Sequence, residues 1–101
     1  MDLVTISLDY VILGTKSSMG TRINKNLVLA FSRALKAIRM EKELTQEQVA
    51  YVAKVHRTYI AFLEGAKKQP SIDAVFKIAN GLDIRPSELI ERVEKYYSRK
   101  R

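Results

Sequence analysis

The chain has 101 residues, no cysteine and a formal net charge of +7. That length admits one domain. The lack of cysteine excludes a disulfide framework and thiolate metal sites, which fits a reducing, cytoplasmic setting. No apolar run reaches the roughly 18 residues of a membrane span, so no membrane partner is expected, and an N-terminus carrying Asp2 lacks the basic start of a secretory signal. A pI near 9.8 points to a polyanionic partner, though many small proteins are basic without one. The charge is uneven: residues 1–20 set Lys16 against Asp2 and Asp9, so the positive excess lies in residues 21–101.

Residues 3–13 alternate, with Val4, Ile6, Leu8, Tyr10 and Ile12 on one side and Thr5, Ser7 and Asp9 on the other. Period two with β-branched residues predicts a strand, which breaks into a linker at Gly14, Ser17, Ser18 and Gly20. A lone strand has no partner in an otherwise helical chain. It is disordered, pairs with a second copy, or folds back over a neighbour. Residues 1–22 are therefore read as an N-terminal arm, 23–97 as the folded domain and 98–101 as a basic tail.

From Asn26 the period changes. Val28, Phe31, Leu35 and Ile38 form one stripe of a helix running to about Lys42, with Asn24 or Asn26 as its cap. Thr45 caps a second helix, and Gln48 three residues on completes a capping box. Val49, Ala50 and Ala53 recur at helical spacing, Val55 falls in a corner, and Ile60 and Leu63 resume the stripe in a third helix. Gly65 is expected to stop that helix in the left-handed conformation, ahead of a basic loop, Ala66–Pro70. Ser71 caps a fourth helix carrying Ile72, Val75, Phe76 and Ala79, which closes at Asn80–Gly81. Pro86 suits the first turn of a fifth helix, with Leu89, Ile90 and Val93 on its apolar side. The expected fold class is all-α, a five-helix orthogonal bundle with an extended arm in front.

Helices two and three are too short to fold alone, since each hides only one stripe. Joined at a steep angle they hide both stripes and leave the third helix protruding, the shape that enters a DNA major groove. This order of signals resembles the λ-repressor and Cro-like (Xre-type) helix-turn-helix family. The resemblance rests on Leu35-Lys36-Ala37-Ile38-Arg39, Leu44-Thr45-Gln46-Glu47-Gln48-Val49-Ala50, Arg57-Thr58-Tyr59-Ile60 with Leu63-Glu64-Gly65, Pro70-Ser71-Ile72 and Ile78-Ala79. Within the family, the start of the third helix is similar to restriction–modification controller proteins and phage repressors.

The resemblance implies that Gln46 reaches a phosphate and braces a base-contacting side chain. Arg57 and Thr58 would face base edges, while Tyr59, Lys67 and Lys68 hold the sugar-phosphate backbone. It also implies a buried ion pair between Arg39 and Glu64. Two positions depart from the family pattern. Lys54 stands where the family usually has glycine, so either it adopts a left-handed backbone at a cost of about 1 kcal/mol or the corner is built differently. His56 replaces the usual small cap, which would let the helix start one residue off. Ala61, the next outward position, is short enough to touch a thymine methyl, and Phe62 is expected to pack internally.

Arg57 can fork two hydrogen bonds onto guanine O6 and N7, a pairing lysine cannot copy, or it can meet only a phosphate. Lys54, Lys67 and Lys68 are flexible point charges that suit phosphates, which fix register without reading sequence. His56 is the only histidine; without a second ligand nearby it reads as a cap or a DNA neighbour rather than a metal ligand or catalytic base. Enzyme readings lack parts: there is no glycine-rich phosphate loop and no nucleophile with a base. No cofactor is implied, and Glu41, Glu43 and Glu47 read as a solvated face.

The leading expectation is a homodimeric, sequence-specific regulator of transcription, of repressor type, on a (pseudo)palindromic operator in double-stranded DNA. The dimer surface is expected from Leu82, Ile84, Leu89, Ile90 and Val93. The alternative is an antitoxin-type module that holds a toxin and binds DNA only to regulate itself. A third reading is an architectural protein that bends DNA without choosing sequence.

Overall fold

Each helix begins where an oxygen or nitrogen accepts one of the backbone N–H groups a helix start leaves unpaired. The computed structural model describes residues 23–99. Asn24 accepts from the Leu27 N–H and opens α1 (Lys25–Glu41). Thr45 accepts from Gln48 N–H while Gln48 Oε1 takes the Thr45 N–H at 2.8 Å, a complete capping box heading α2 (Gln46–Ala53). His56 caps α3 (Arg57–Glu64) and Ser71 caps α4 (Ile72–Gly81). Pro86 begins α5 (Pro86–Arg99), where Glu88 reaches back to the Arg85 N–H at 2.8 Å.

The described residues are all helical or loop. α1 packs on α5 and α3, α2 on α3 and α4, and α4 on α5. One core joins them, with Leu35, Val49, Ile60, Leu63, Ile78, Leu82 and Leu89 its largest fully buried side chains. The two eight-residue helices α2 and α3 hold because both stripes, Val49–Ala50–Ala53 and Ile60–Leu63, are buried together. The strand expected over 3–13 and the end of the basic tail lie outside the described residues. Among the described residues no helix is long and apolar enough to cross a membrane.

The helix stops differ from expectation. Glu43, Lys54, Ala66 and Asp83 take the left-handed conformation, with φ of 57°, 62°, 58° and 60°, and no described glycine has a positive φ. At each stop the following N–H closes onto a carbonyl five residues back: Leu44 to Arg39, Val55 to Ala50, Lys67 to Phe62 and Ile84 to Ala79. These are Schellman closures, which glycine normally makes without steric strain. Here a side chain sits in that conformation four times. Leu44, Val55 and Ile84 then pack partly buried against the core, the apolar contact that accompanies such a closure.

The glycines meet other demands. Gly65 is the last position before the left-handed Ala66, with φ −86° itself, so the expected left-handed stop at Gly65 is one residue early. Gly81 is the final residue of α4, and a Cβ there would stand 2.6 Å from the Val49 carbonyl oxygen and 3.1 Å from the Ala53 Cβ. It permits a close approach of α4 to α2 rather than a turn.

Candidate nucleic-acid interface

The corner between α2 and α3 is built on Lys54, at φ 62° and ψ 42°, with its N–H bonded to Ala50 and Tyr51 carbonyls. The family-type corner is therefore kept despite the lysine, and the side chain points from an exposed site. His56 Nδ1 accepts the Thr58 N–H at 3.0 Å, so α3 starts in register at Arg57 and not one residue off. An imidazole nitrogen serves as the cap acceptor that a serine or aspartate oxygen usually provides.

Beyond that cap Arg57 and Thr58 are exposed and Ala61 is half-buried, while Ile60 and Leu63 are sealed in the core. α2, α4 and α5 each place an acid in the first turn, as the positive end of a helix favours. α3 places an arginine there instead. Tyr59 lies partly buried against the core; burial pushes its phenol above the ordinary range, opposed by a hydrogen bond from the Ser71 backbone. Lys67 and Lys68 are exposed just beyond the other end of α3. At 1.5 Å per residue the helix is about 12 Å long, so cations stand at both of its ends.

The inner end of α3 is clamped by its own carboxylate. Arg39 Nε and Nη2 donate to Glu64 Oε2 and Oε1 at 2.5 and 2.9 Å, and Arg39 Nη1 donates to the Leu44 carbonyl at 2.8 Å. Gln46 Nε2 adds a bond to Glu64 Oε1 at 3.1 Å, and Ser32 Oγ donates to the Glu64 carbonyl at 2.5 Å. One residue of α3 thus gathers α1 and α2 as well. The bond to Glu64 holds the Arg39 guanidinium above its ordinary pKa, against the lowering effect of burial. Gln46 keeps a second amide hydrogen for an outside acceptor.

Two expectations are corrected, the packing of Phe62 and the dimer surface. Phe62 is 42% exposed, because the buried stripe of α3 is Ile60 and Leu63 and Phe62 falls on its flank. Leu82, Leu89 and Val93 are buried in this chain's own core, leaving them nothing to offer a partner; Ile84 is partly buried against it. Of the five residues assigned to a dimer surface only Ile90 is exposed, at 46%. What sequence reasoning missed is an apolar face around it. Ile72 and Phe76, four apart on α4, are exposed, and Ile72, Ile90 and Leu27 line one groove with Phe31 at its base. The available signal was α4 itself, which has more apolar positions than one stripe can bury.

The helix-turn-helix family profile matches residues 35–89. The control protein C.MunI of a Mycoplasma sp is 37% identical over 71 residues, covering 69% of this chain and 96% of its own. The control protein C.BamHI of Bacillus amyloliquefaciens is 31% identical over 70 residues, covering 68% and 86%. Among solved structures, the tetramer of the restriction–modification controller protein C.Esp1396I on its natural 35 base-pair operator is similar with a TM-score of 0.67. It shares 32% identity over 71% of this chain and 95% of that one.

Proposed function

The chain belongs to the helix-turn-helix family, and on that premise we propose that it is a homodimeric regulator of transcription reading a two-fold symmetric site in double-stranded DNA. The observation that carries this reading is α3 itself: its leading side chains, Arg57 and Thr58, are exposed while its apolar stripe and inner end are locked into the bundle. A helix that reads base edges must present side chains at fixed positions, and rigid support from behind provides this. The major groove is about 12 Å wide, comparable to the length of α3 with its flanking cations.

In this reading the Arg57 guanidinium forks onto guanine O6 and N7, Thr58 meets a base or phosphate, and Ala61 touches a thymine methyl. Lys54, Lys67 and Lys68 hold phosphates, and Tyr59 lies along the backbone. His56 has committed Nδ1 to its cap, so only Nε2 faces DNA. Gln46 gives its spare amide hydrogen to a phosphate at the head of α2. The Arg39–Glu64 pair has a positioning role and touches no nucleotide.

One recognition helix reads about four base pairs, so selectivity requires two copies with half-sites about 10 base pairs apart. The surface that joins them is assigned to Leu27, Ile72, Phe76 and Ile90, in place of the buried leucines. Selection of bound duplexes from a random pool tests the reading: a two-fold symmetric consensus is expected, and a flat profile overturns it. Arg57→Ala should lose about 1–3 kcal/mol per half-site and relax choice at one base pair, whereas Lys67→Ala should weaken all duplexes about equally. Uniform loss in both variants would remove Arg57 from base reading. Phe76→Glu should give a monomer in sedimentation with the helical fold intact.

A further inference from the structure

We propose that a cationic ridge on α1, made by Lys25, Arg33 and Lys36, is a second phosphate-binding track that lies along the DNA backbone beside the reading helix. All three side chains are exposed. With Leu29 they follow one another at steps of four, four and three residues, a spacing that stacks them on one side of a helix. At 1.5 Å per residue the row is about 16 Å long, room for several phosphates of one strand.

Both ends of the ridge are tied to groups already assigned to the backbone. At one end Lys25 and Leu29 share a groove with Lys67 and Lys68. At the other, Lys36 falls four residues after Ser32 and three before Arg39, the two α1 side chains bonded to Glu64. The Glu64 carboxylate also takes the Gln46 amide. The ridge therefore runs from the α3–α4 loop toward the head of α2, next to the residues that hold α3.

Its charge is of one sign. Residues 23–40 contain no acid, and among the described residues none of the three cations is in an ion pair. Arg33, Lys36 and Arg39 follow at steps of three, a spacing at which like charges repel. Lys25 occupies the first turn of α1, where the positive helix end disfavours a cation, and α1 shares with α3 the lack of an acid there. A polyanion lying along α1 would offset each of these repulsions at once. Duplex DNA is that polyanion on the reading proposed above, which this inference rests on.

Affinity and its salt dependence, measured on a duplex selected by the parent chain, test the track. Arg33→Gln with Lys36→Gln keeps good helix formers on an exposed face, so the melting curve should match the parent. Binding at about 0.1 M salt should weaken by on the order of tenfold per subunit, and the log–log salt slope should flatten by about two per subunit. Lys25→Gln should flatten it by about one. The selected consensus should stay the same, since phosphate contacts read no sequence. Exchanging the head groups, Arg33→Lys with Lys36→Arg, keeps both charges and should retain the parent slope.

Arg85→Gln with Lys95→Gln removes the same charge from the side of α5, which packs on α1 and α4, and should leave the slope close to the parent's. Equal flattening in the two neutralised double variants reduces the ridge to net charge and overturns the track. An unchanged slope in the α1 variant does the same, and so does an altered consensus, which would make these side chains base readers. If the parent chain itself binds no duplex, the DNA reading has failed and the track falls with it.

Discussion

Two arginine–glutamate pairs of nearly equal geometry behave as different objects in this molecule. Arg39 and Glu64 join α1 to α3 with side chains 14% and 5% exposed, and Arg92 and Glu41 join α5 to α1 at 30% and 57%. Both are two-pronged, the second through contacts of 2.9 and 3.0 Å. Water reaches the outer pair far more readily than the inner one. The inner carboxylate also takes the Gln46 amide, so its loss would leave three donors without a partner. Burial, rather than the number of prongs, decides which pair the fold depends on.

The sharpest way to break the contrast is Glu64→Ala. It strands the Arg39 guanidinium beneath α3, and chemical denaturation should register a loss of about 3 kcal/mol or more. Replacing both partners at once with Arg39→Met and Glu64→Leu should recover most of that loss, because no charge is left uncompensated. Duplex selection by this variant should nonetheless blur, since Gln46 and the end of α3 have lost their brace. A stable double variant with unaltered selectivity would reduce the pair to ordinary packing.

Gln46→Ala removes one donor and leaves the pair in place, so about 1 kcal/mol is expected in the same assay. Lys54→Gly works in the opposite direction. Relief of the left-handed lysine should raise stability by up to about 1 kcal/mol, while removal of the ammonium weakens binding to every duplex and lowers the salt dependence by about one phosphate contact per subunit.

The outer pair should give the smallest change. Arg92→Ala is expected to shift the melting temperature least and to match the parent chain at molar salt. Its pH behaviour has a definite sign. The Arg92 hydrogen bond holds the Glu41 carboxyl below its usual range, so the small stabilisation is present above the usual carboxylate pKa. It fades as the pH falls through the depressed value, and the Arg92→Ala chain should lack that acid-side slope.

Local chemistry made much of this legible from the residues alone. Asn24, Thr45 and Ser71 fall at helix starts because their side chains accept a nearby N–H, and that bond depends only on neighbours in sequence. The stops were less legible. A glycine suggests a left-handed residue, yet Gly81 is needed for a helix crossing whose partner lies about 30 residues away in sequence, and the left-handed positions went to Glu43, Ala66 and Asp83. Periodicity also failed at α4 and α5. It shows that Ile72, Phe76 and Ile90 are apolar but not which of two stripes meets the core, and that choice is made by tertiary packing, of α4 on α2 and of α5 on α1. The Arg39–Glu64 pair was readable only through family resemblance, since nothing in the spacing of the two residues brings them together.

Gly81 bears on more than packing. The missing side chain lets the reading unit and the helix assigned to subunit pairing approach closely, with the Val49 carbonyl and the Val49 and Ala53 side chains already filling the space a Cβ would need. In the proposed dimer that crossing acts as a ruler, setting the distance between the two reading heads. Gly81→Ala would lengthen it, and the altered protein would prefer a different spacer between half-sites before it lost its fold.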